Sequence, residues 1–308
     1  MTELQRYLAE EVAEDHADGI ITRREALRRL GLLGLGASAA TTLLAACGSN
    51  KASADGAGAA TASAAAASDD TAQADGAVEG WAVIGSQPIT FDGPRGTLQG
   101  AWAPAQSPRG SVLVIHENRG LTDHIRVVAG RMAANGWSAL AIDLLSEEGG
   151  TAKVGDEAQV AAVLAQVDPA RFDADMKAGV SELRRRVRGK QVGAMGFCFG
   201  GGMVWRLLAA GEARVAAAAP FYGPFPENGD LGRAKAAVLG IYGGLDARVG
   251  ATRPAAQAAL AKAGLKHHLV VFEQADHAFF NDTGARFDPP AAAEANRRVL
   301  EWFDRYAA

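Results

Sequence analysis

Beyond residue 80, short runs rich in β-branched and apolar residues alternate with longer stretches whose apolar residues recur every three to four positions. Strands are predicted over 97–103, 111–116, 138–142, 191–195, 214–219, 238–242 and 268–272. Helices are predicted over 123–135, 155–166, 171–188, 198–210, 253–262 and 290–306. A strand followed by a helix and then another strand returns by a crossover. The pattern therefore implies a mostly parallel sheet with helices on both faces, an α/β fold built as a single domain. In such sheets, chemistry belongs to the loops past the carboxyl ends of the strands.

Composition agrees with a buried core, with 48% apolar and 21% charged residues. Only two cysteines occur, Cys47 and Cys198, which excludes a disulfide-stapled scaffold. Residues 80–308 carry 25 basic and 23 acidic side chains. That balance gives no electrostatic case for a nucleic-acid partner. The cluster Arg184, Arg185, Arg186 and Arg188 reads as the solvated end of a helix.

The first 79 residues are of a different kind. Thr22-Arg23-Arg24 precedes a weakly apolar run, 30–46, that ends Leu44-Ala45-Ala46-Cys47. The arginine pair resembles a twin-arginine export signal, with Leu27 fitting and Ala26 standing where Phe is usual. Leu44 to Cys47 resembles a bacterial lipobox, which makes Cys47 the expected lipidated residue. The alternative is an uncleaved N-terminal anchor helix, though the run is short and poor in large apolar residues for a permanent span. On either reading the domain is expected to be exported across the cytoplasmic membrane of a bacterium, with the twin-arginine export machinery as a transient partner. A lipid anchor, not a spanning helix, is expected to hold it in the cell envelope. Residues 48–79, nearly all Ala, Gly, Ser, Thr and Asp, are expected to be a flexible tether. The expected organisation is thus a signal and lipobox over 1–47, a tether over 48–79 and an α/β domain over 80–308.

The strongest chemical signal is Gly196-Phe197-Cys198-Phe199-Gly200-Gly201-Gly202, directly after one predicted strand and before a helix. That context is required of a nucleophile elbow, the strained turn of α/β hydrolases, here with Cys in place of Ser. A side chain there sits at a helix N-terminus, where the dipole favours a thiolate. The plainer reading is a buried Cys in a glycine-rich turn. Two further residues favour the chemical one, because they follow later strands in the order this fold requires. Asp246 lies past the strand 238–242, and His277 past the strand 268–272. His277 would act as general base with Asp246 fixing its tautomer. Asp276 is adjacent in sequence and is expected not to reach the far ring nitrogen. The loop His116-Glu117-Asn118-Arg119-Gly120, after the strand 111–116, would supply one oxyanion donor, the backbone N–H of Asn118, beside that of Phe199. Glu117 has a plainer reading as a loop carboxylate or a partner of Arg119. The Asp and His residues lack metal-ligand spacing, and no cofactor motif is present.

Taken together, His116-Glu117, Asp143-Leu144-Leu145, Gly196 to Gly201, Phe221-Tyr222-Gly223, Asp246 and Asp276-His277-Ala278-Phe279 resemble the dienelactone hydrolase family across residues 80–308. The resemblance implies a Cys198–Asp246–His277 triad, with Glu117 helping to generate the thiolate. It also implies hydrolysis of small lactones or carboxylic esters through a thioester, of the carboxymethylenebutenolidase type. Arg119 and Tyr222 are candidates for substrate contact. Family members acting on dienelactone grip its carboxylate with arginines, one of them four residues after the catalytic His. Here that place is Asn281, with Arg286 further on. A lactone or activated ester is therefore the expected substrate class. The alternative is a non-catalytic ligand-binding lipoprotein that retains the fold.

Overall fold

The computed structural model describes residues 1–54 and 81–308, with side chains for 1–46 and 81–308. These fall into two units, each described by itself. The Cys47 side chain lies outside the described residues, as does the expected tether except for 48–54, which continue a helix.

The N-terminal unit is three mutually packed helices, α1 (Glu3–Ala17), α2 (Arg23–Leu32) and α3 (Ala37–Ala54). Thr2 and Gln5 cap α1 reciprocally: the Thr2 hydroxyl accepts from the Gln5 backbone N–H at 3.1 Å, and the Gln5 side-chain Oε1 accepts from the Thr2 backbone N–H at 2.8 Å. The arginine pair opens α2 behind its Thr22 cap. The apolar run read as continuous over 30–46 is broken where Gly34 takes φ +88°, between the end of α2 and the start of α3. No helix among the described residues is long and apolar enough to cross a membrane.

In the second unit the apolar runs pair into an eight-stranded sheet. The strands are β1 (Gln87–Gly93), β2 (Gly96–Ala103), β3 (Gly110–Ile115), β4 (Trp137–Asp143), β5 (Val192–Phe197), β6 (Val215–Phe221), β7 (Ala237–Gly243) and β8 (His267–Phe272). Their order is β1-β2-β4-β3-β5-β6-β7-β8; β2 runs antiparallel to both its neighbours, β1 and β4, and every other neighbouring pair is parallel. The helices are α4 (Asp123–Ala134), α5 (Thr151–Val154), α6 (Glu157–Leu164), α7 (Pro169–Arg186), α8 (Phe199–Ala209), α9 (Ala247–Gly250), α10 (Arg253–Lys262) and α11 (Pro289–Tyr306).

Both faces of the sheet are covered. Gly179 of α7 lies against Leu113 of β3, while Gly193 of β5 lies against Phe303 of α11. Leu113 pairs with Ala194, the neighbour of Gly193, and successive strand residues point to opposite faces; α7 and α11 therefore flank the sheet. Strands β3 to β7 are buried almost throughout, which explains why they read as unbroken apolar runs and not as alternating ones.

Some elements differ from the sequence expectation. The helix expected over 155–166 forms as α6 but starts later, at Glu157, because Gly155 takes φ +125° and Asp156 caps α6 with a capping box to Gln159; the short α5 before that break was not expected. The edge strand β1 was not expected. Its Pro, Asp and Gly weaken strand propensity, and pairing with β2 along its whole length overrides that.

Candidate active site

The strand order reverses at β3. The chain leaves β3 for β4 on one side, then returns to place β5 on the other. The crevice past the carboxyl ends of β3 and β5 is the topological switch point, where ligands bind in open α/β sheets. Ile115 pairs with Gly196, so Glu117 and Cys198 each stand two residues beyond a matched pair. The sheet register thus carries both to the same point.

Cys198 occupies the turn between β5 and α8 with φ 57° and ψ −119°, a conformation that a residue with a Cβ adopts only under strain, on the order of 1–3 kcal/mol. The turn is held from both sides: its N–H donates to the Phe221 carbonyl at 3.1 Å, and its carbonyl accepts from the Gly202 N–H at 3.1 Å. The glycines permit the approach. A Cβ on Gly196 would lie 2.3 Å from the Gly200 carbonyl oxygen, and one on Gly200 would lie 2.3 Å from that of Ile115. Phe199 opens α8, so its backbone N–H belongs to the helix N-terminus that Cys198 caps. Asn118 lies on the neighbouring β3–α4 loop.

The base and acid come from the two strands at the far edge. Asp246 caps α9, one oxygen accepting from the Val249 N–H at 3.0 Å and the other bonded to Nδ1 of His277 at 2.6 Å. Burial alone would push the Asp246 carboxyl up; the charge and hydrogen bond of His277 outweigh it and hold it below the usual carboxylate range. Burial likewise opposes a charged His277, yet the Asp246 carboxylate and then the Cys198 sulfur raise the imidazole well above its ordinary value. The Cys198 sulfur lies within 4.8 Å of a ring nitrogen of His277. The arrangement suits a thiolate–imidazolium pair oriented by a carboxylate. Asp276 accepts from the backbone N–H of His277 at 2.7 Å and so stays off the ring, as its position in sequence led one to expect.

Glu117 is buried, and its Oε2 accepts from the side-chain amide of Asn281 at 2.8 Å. That amide is itself oriented, because the Asn281 carbonyl oxygen accepts from the Thr283 N–H at 3.0 Å and the Thr283 hydroxyl at 2.7 Å. The loop that carries His277 therefore also holds Glu117. Beside it, the Leu144 N–H donates to Nε2 of His116 at 3.1 Å, so Nδ1 bears the proton and donates to the Glu117 carbonyl at 2.7 Å. Burial pushes the His116 imidazole down, in keeping with this neutral form. His116 stitches the loops after β3 and β4 together.

Tyr222 is fully buried with φ 33°, its ring edge-on to His277 with centroids 5.1 Å apart. It walls the base. Phe197, Phe221 and Phe280 form a cluster beneath, with centroids 4.7–5.2 Å apart, tying the elbow to the histidine loop. Arg119 forms an ion pair with Glu157 at 3.3 Å, and Asn281 holds Glu117. Arg286 lies 3.7 Å from Asp276. Asn281 stood out in the sequence only as a place where an arginine was absent; Thr283 carried no signal.

Comparison with known proteins points the same way. The family model described as dienelactone hydrolase family matches residues 99–307. A Methylorubrum extorquens protein named carboxymethylenebutenolidase is 31% identical over 221 residues, covering 66% of this chain and 75% of its own. Among solved structures, a Klebsiella pneumoniae dienelactone hydrolase superposes with a TM-score of 0.65 at 27% identity, over 72% of this chain and 98% of that one. A dienelactone hydrolase-like promiscuous phosphotriesterase from metagenomic libraries gives 0.65 at 25% identity, over 73% and 100%. With its eight-stranded, mostly parallel sheet of the α/β-hydrolase type, the chain belongs to the dienelactone hydrolase family.

Proposed function

We propose that this hydrolase cleaves small lactones or carboxylic esters through a thioester on Cys198. The observation that carries the reading is the line of Cys198, His277 and Asp246, with the 2.6 Å bond from Nδ1 to the carboxylate at its far end. The Cys198 sulfur attacks the carbonyl carbon, and the oxyanion is received by the backbone N–H groups of Asn118 and Phe199. His277 gives its proton to the departing alkoxide, which leaves as an alcohol or, from a lactone, as the free hydroxyl end of the same molecule. His277 then takes a proton from water, whose oxygen attacks the thioester and releases the carboxylic acid and Cys198. Asp246 holds the imidazole in the tautomer that faces the sulfur. Glu117, held by Asn281 beside the elbow, assists thiolate formation. Tyr222 bounds the space where the acyl group would lie, and Arg119 stands at its outer loop.

Steady-state hydrolysis of p-nitrophenyl acetate and of a panel of lactones, with Cys198→Ala as the paired control, tests the reading. Turnover that disappears in the variant supports it; full activity in the variant contradicts it. Absence of turnover together with tight, saturable lactone binding would favour a ligand-binding lipoprotein. A phosphotriester belongs in the same panel, given the activity named for one structural relative.

We further propose that residues 1–47 direct export and that Cys47 is lipidated, leaving the hydrolase domain tethered by 48–79 in the cell envelope. Fractionation of a bacterium expressing the chain, compared with Arg23→Lys/Arg24→Lys and Cys47→Ser variants, tests this. Export lost in the first and membrane retention lost in the second are the expected results.

A further inference from the structure

Opposite the active site, at the amino edge of the sheet, seven cationic side chains and, among the described residues, no carboxylate line a cleft of about 940 Å³. It lies between the end of α7 and the segments leading into β5, β6, β7 and β8. Two of the seven are neutralised locally, Arg185 by Glu182 at 2.7 Å and Arg214 by Glu212 at 2.7 Å. The other five, Arg184, Arg188, Lys190, Lys235 and Lys266, are exposed. None of these five has a carboxylate partner among the described residues.

A helix C-terminus attracts cations, and that explains Arg184 and Arg188 at the end of α7. It does not explain Lys190, Lys235 and Lys266, which arrive from three separate connections. Convergence of like charges on one concave volume leaves a positive potential that only an anion relieves. Guanidinium forks and ammonium groups together suit phosphate oxygens. A single carboxylate would leave most of the charge unmet, whereas a chain of phosphates carries comparable charge in a volume that fits. A flat bilayer would reach only the rim of a concave cleft.

We propose that this cleft binds an oligophosphate-type anion, at a site separate from the hydrolytic one. The step is binding alone, with no covalent change.

Isothermal titration of the full chain with sodium tripolyphosphate at fixed ionic strength tests it, with the triple variant Arg188→Ala/Lys235→Ala/Lys266→Ala alongside. Saturable binding near one per chain is expected, weakened about a hundredfold in the triple variant and more strongly by added salt. Hydrolysis by the triple variant is expected to equal that of the unmodified protein, showing that the fold is intact; where it is not, the single variant Lys266→Gln carries the comparison with an expected loss of about fivefold. Equal affinity in the unmodified and substituted proteins, or heats that never saturate, would overturn the proposal. So would binding to phosphatidylglycerol vesicles or to an oligonucleotide without binding to tripolyphosphate.

Discussion

At the carboxyl edge of the sheet the acidic and basic groups of the site are buried and held by specific partners: Asp246 by His277, Glu117 by Asn281. At the amino edge the cleft is lined by many cationic side chains, five of them exposed and without a carboxylate partner among the described residues. The first arrangement extracts work from geometry. Burial strengthens each hydrogen bond there, and the strained φ of Cys198 is sustained by bonds on both sides. The second depends on summed charge, in which no single side chain is decisive. One sheet thus presents two surfaces, and substitutions should have unlike effects on them.

The largest contrast is expected from His277→Ala, which removes the proton carrier; kcat/KM for an ester or lactone should fall by about 10²–10⁴-fold. A fall of less than about threefold would place the base elsewhere. Next comes Asp246→Asn, read through stability against pH. The raised His277 contributes stability that is complete below about pH 6.5 and is lost as pH rises through its folded value. The lowered Asp246 contributes stability that is complete above about pH 4 and is lost as pH falls through its own folded value. The deficit in Tm of Asp246→Asn should therefore be widest between those limits and narrow on either side; a deficit independent of pH would mean that packing, not the ion pair, was lost.

Asn281→Ala removes the amide that holds Glu117 and should lower kcat by roughly tenfold with a smaller change in KM. Slower alkylation of Cys198 by iodoacetamide in the same variant would tie the effect to the thiolate; a change in KM alone would make Asn281 a substrate contact. The smallest effect belongs to the amino edge. Arg184→Gln should alter stability by no more than about 0.5 kcal/mol and leave hydrolysis unchanged. A large loss of activity there would break the separation between the two edges.

The two edges were also unequally legible in the sequence. Cys198, Asp246 and His277 announce themselves because each follows a strand, and a parallel sheet gathers strand ends whatever their distance along the chain. Glycines around Cys198 could be read for the same reason, since a turn that tight needs them. The hold of Asn281 on Glu117 spans 164 positions and depends on Thr283 turning the amide the right way, for which no local pattern exists. Structural work by His116 was hidden too, because a histidine in a loop carries no mark of its tautomer. At the amino edge only the arginine run on α7 was visible. Read alone it is the solvated end of a helix; Lys190, Lys235 and Lys266 are isolated residues until the sheet brings their strands side by side. The break at Gly155 that separates α5 from α6 and the edge strand β1 were missed because local propensity yielded to capping in one and to pairing in the other.

Nucleophilic attack by Cys198 is tested most directly by rapid acid quench of the unmodified protein during turnover of p-nitrophenyl acetate, followed by mass measurement and peptide mapping. A single acetyl group on the peptide that contains Cys198, released on treatment with hydroxylamine and absent from Cys198→Ala, is the predicted result. Turnover with no acyl group on Cys198, or with the group on another residue, would contradict it.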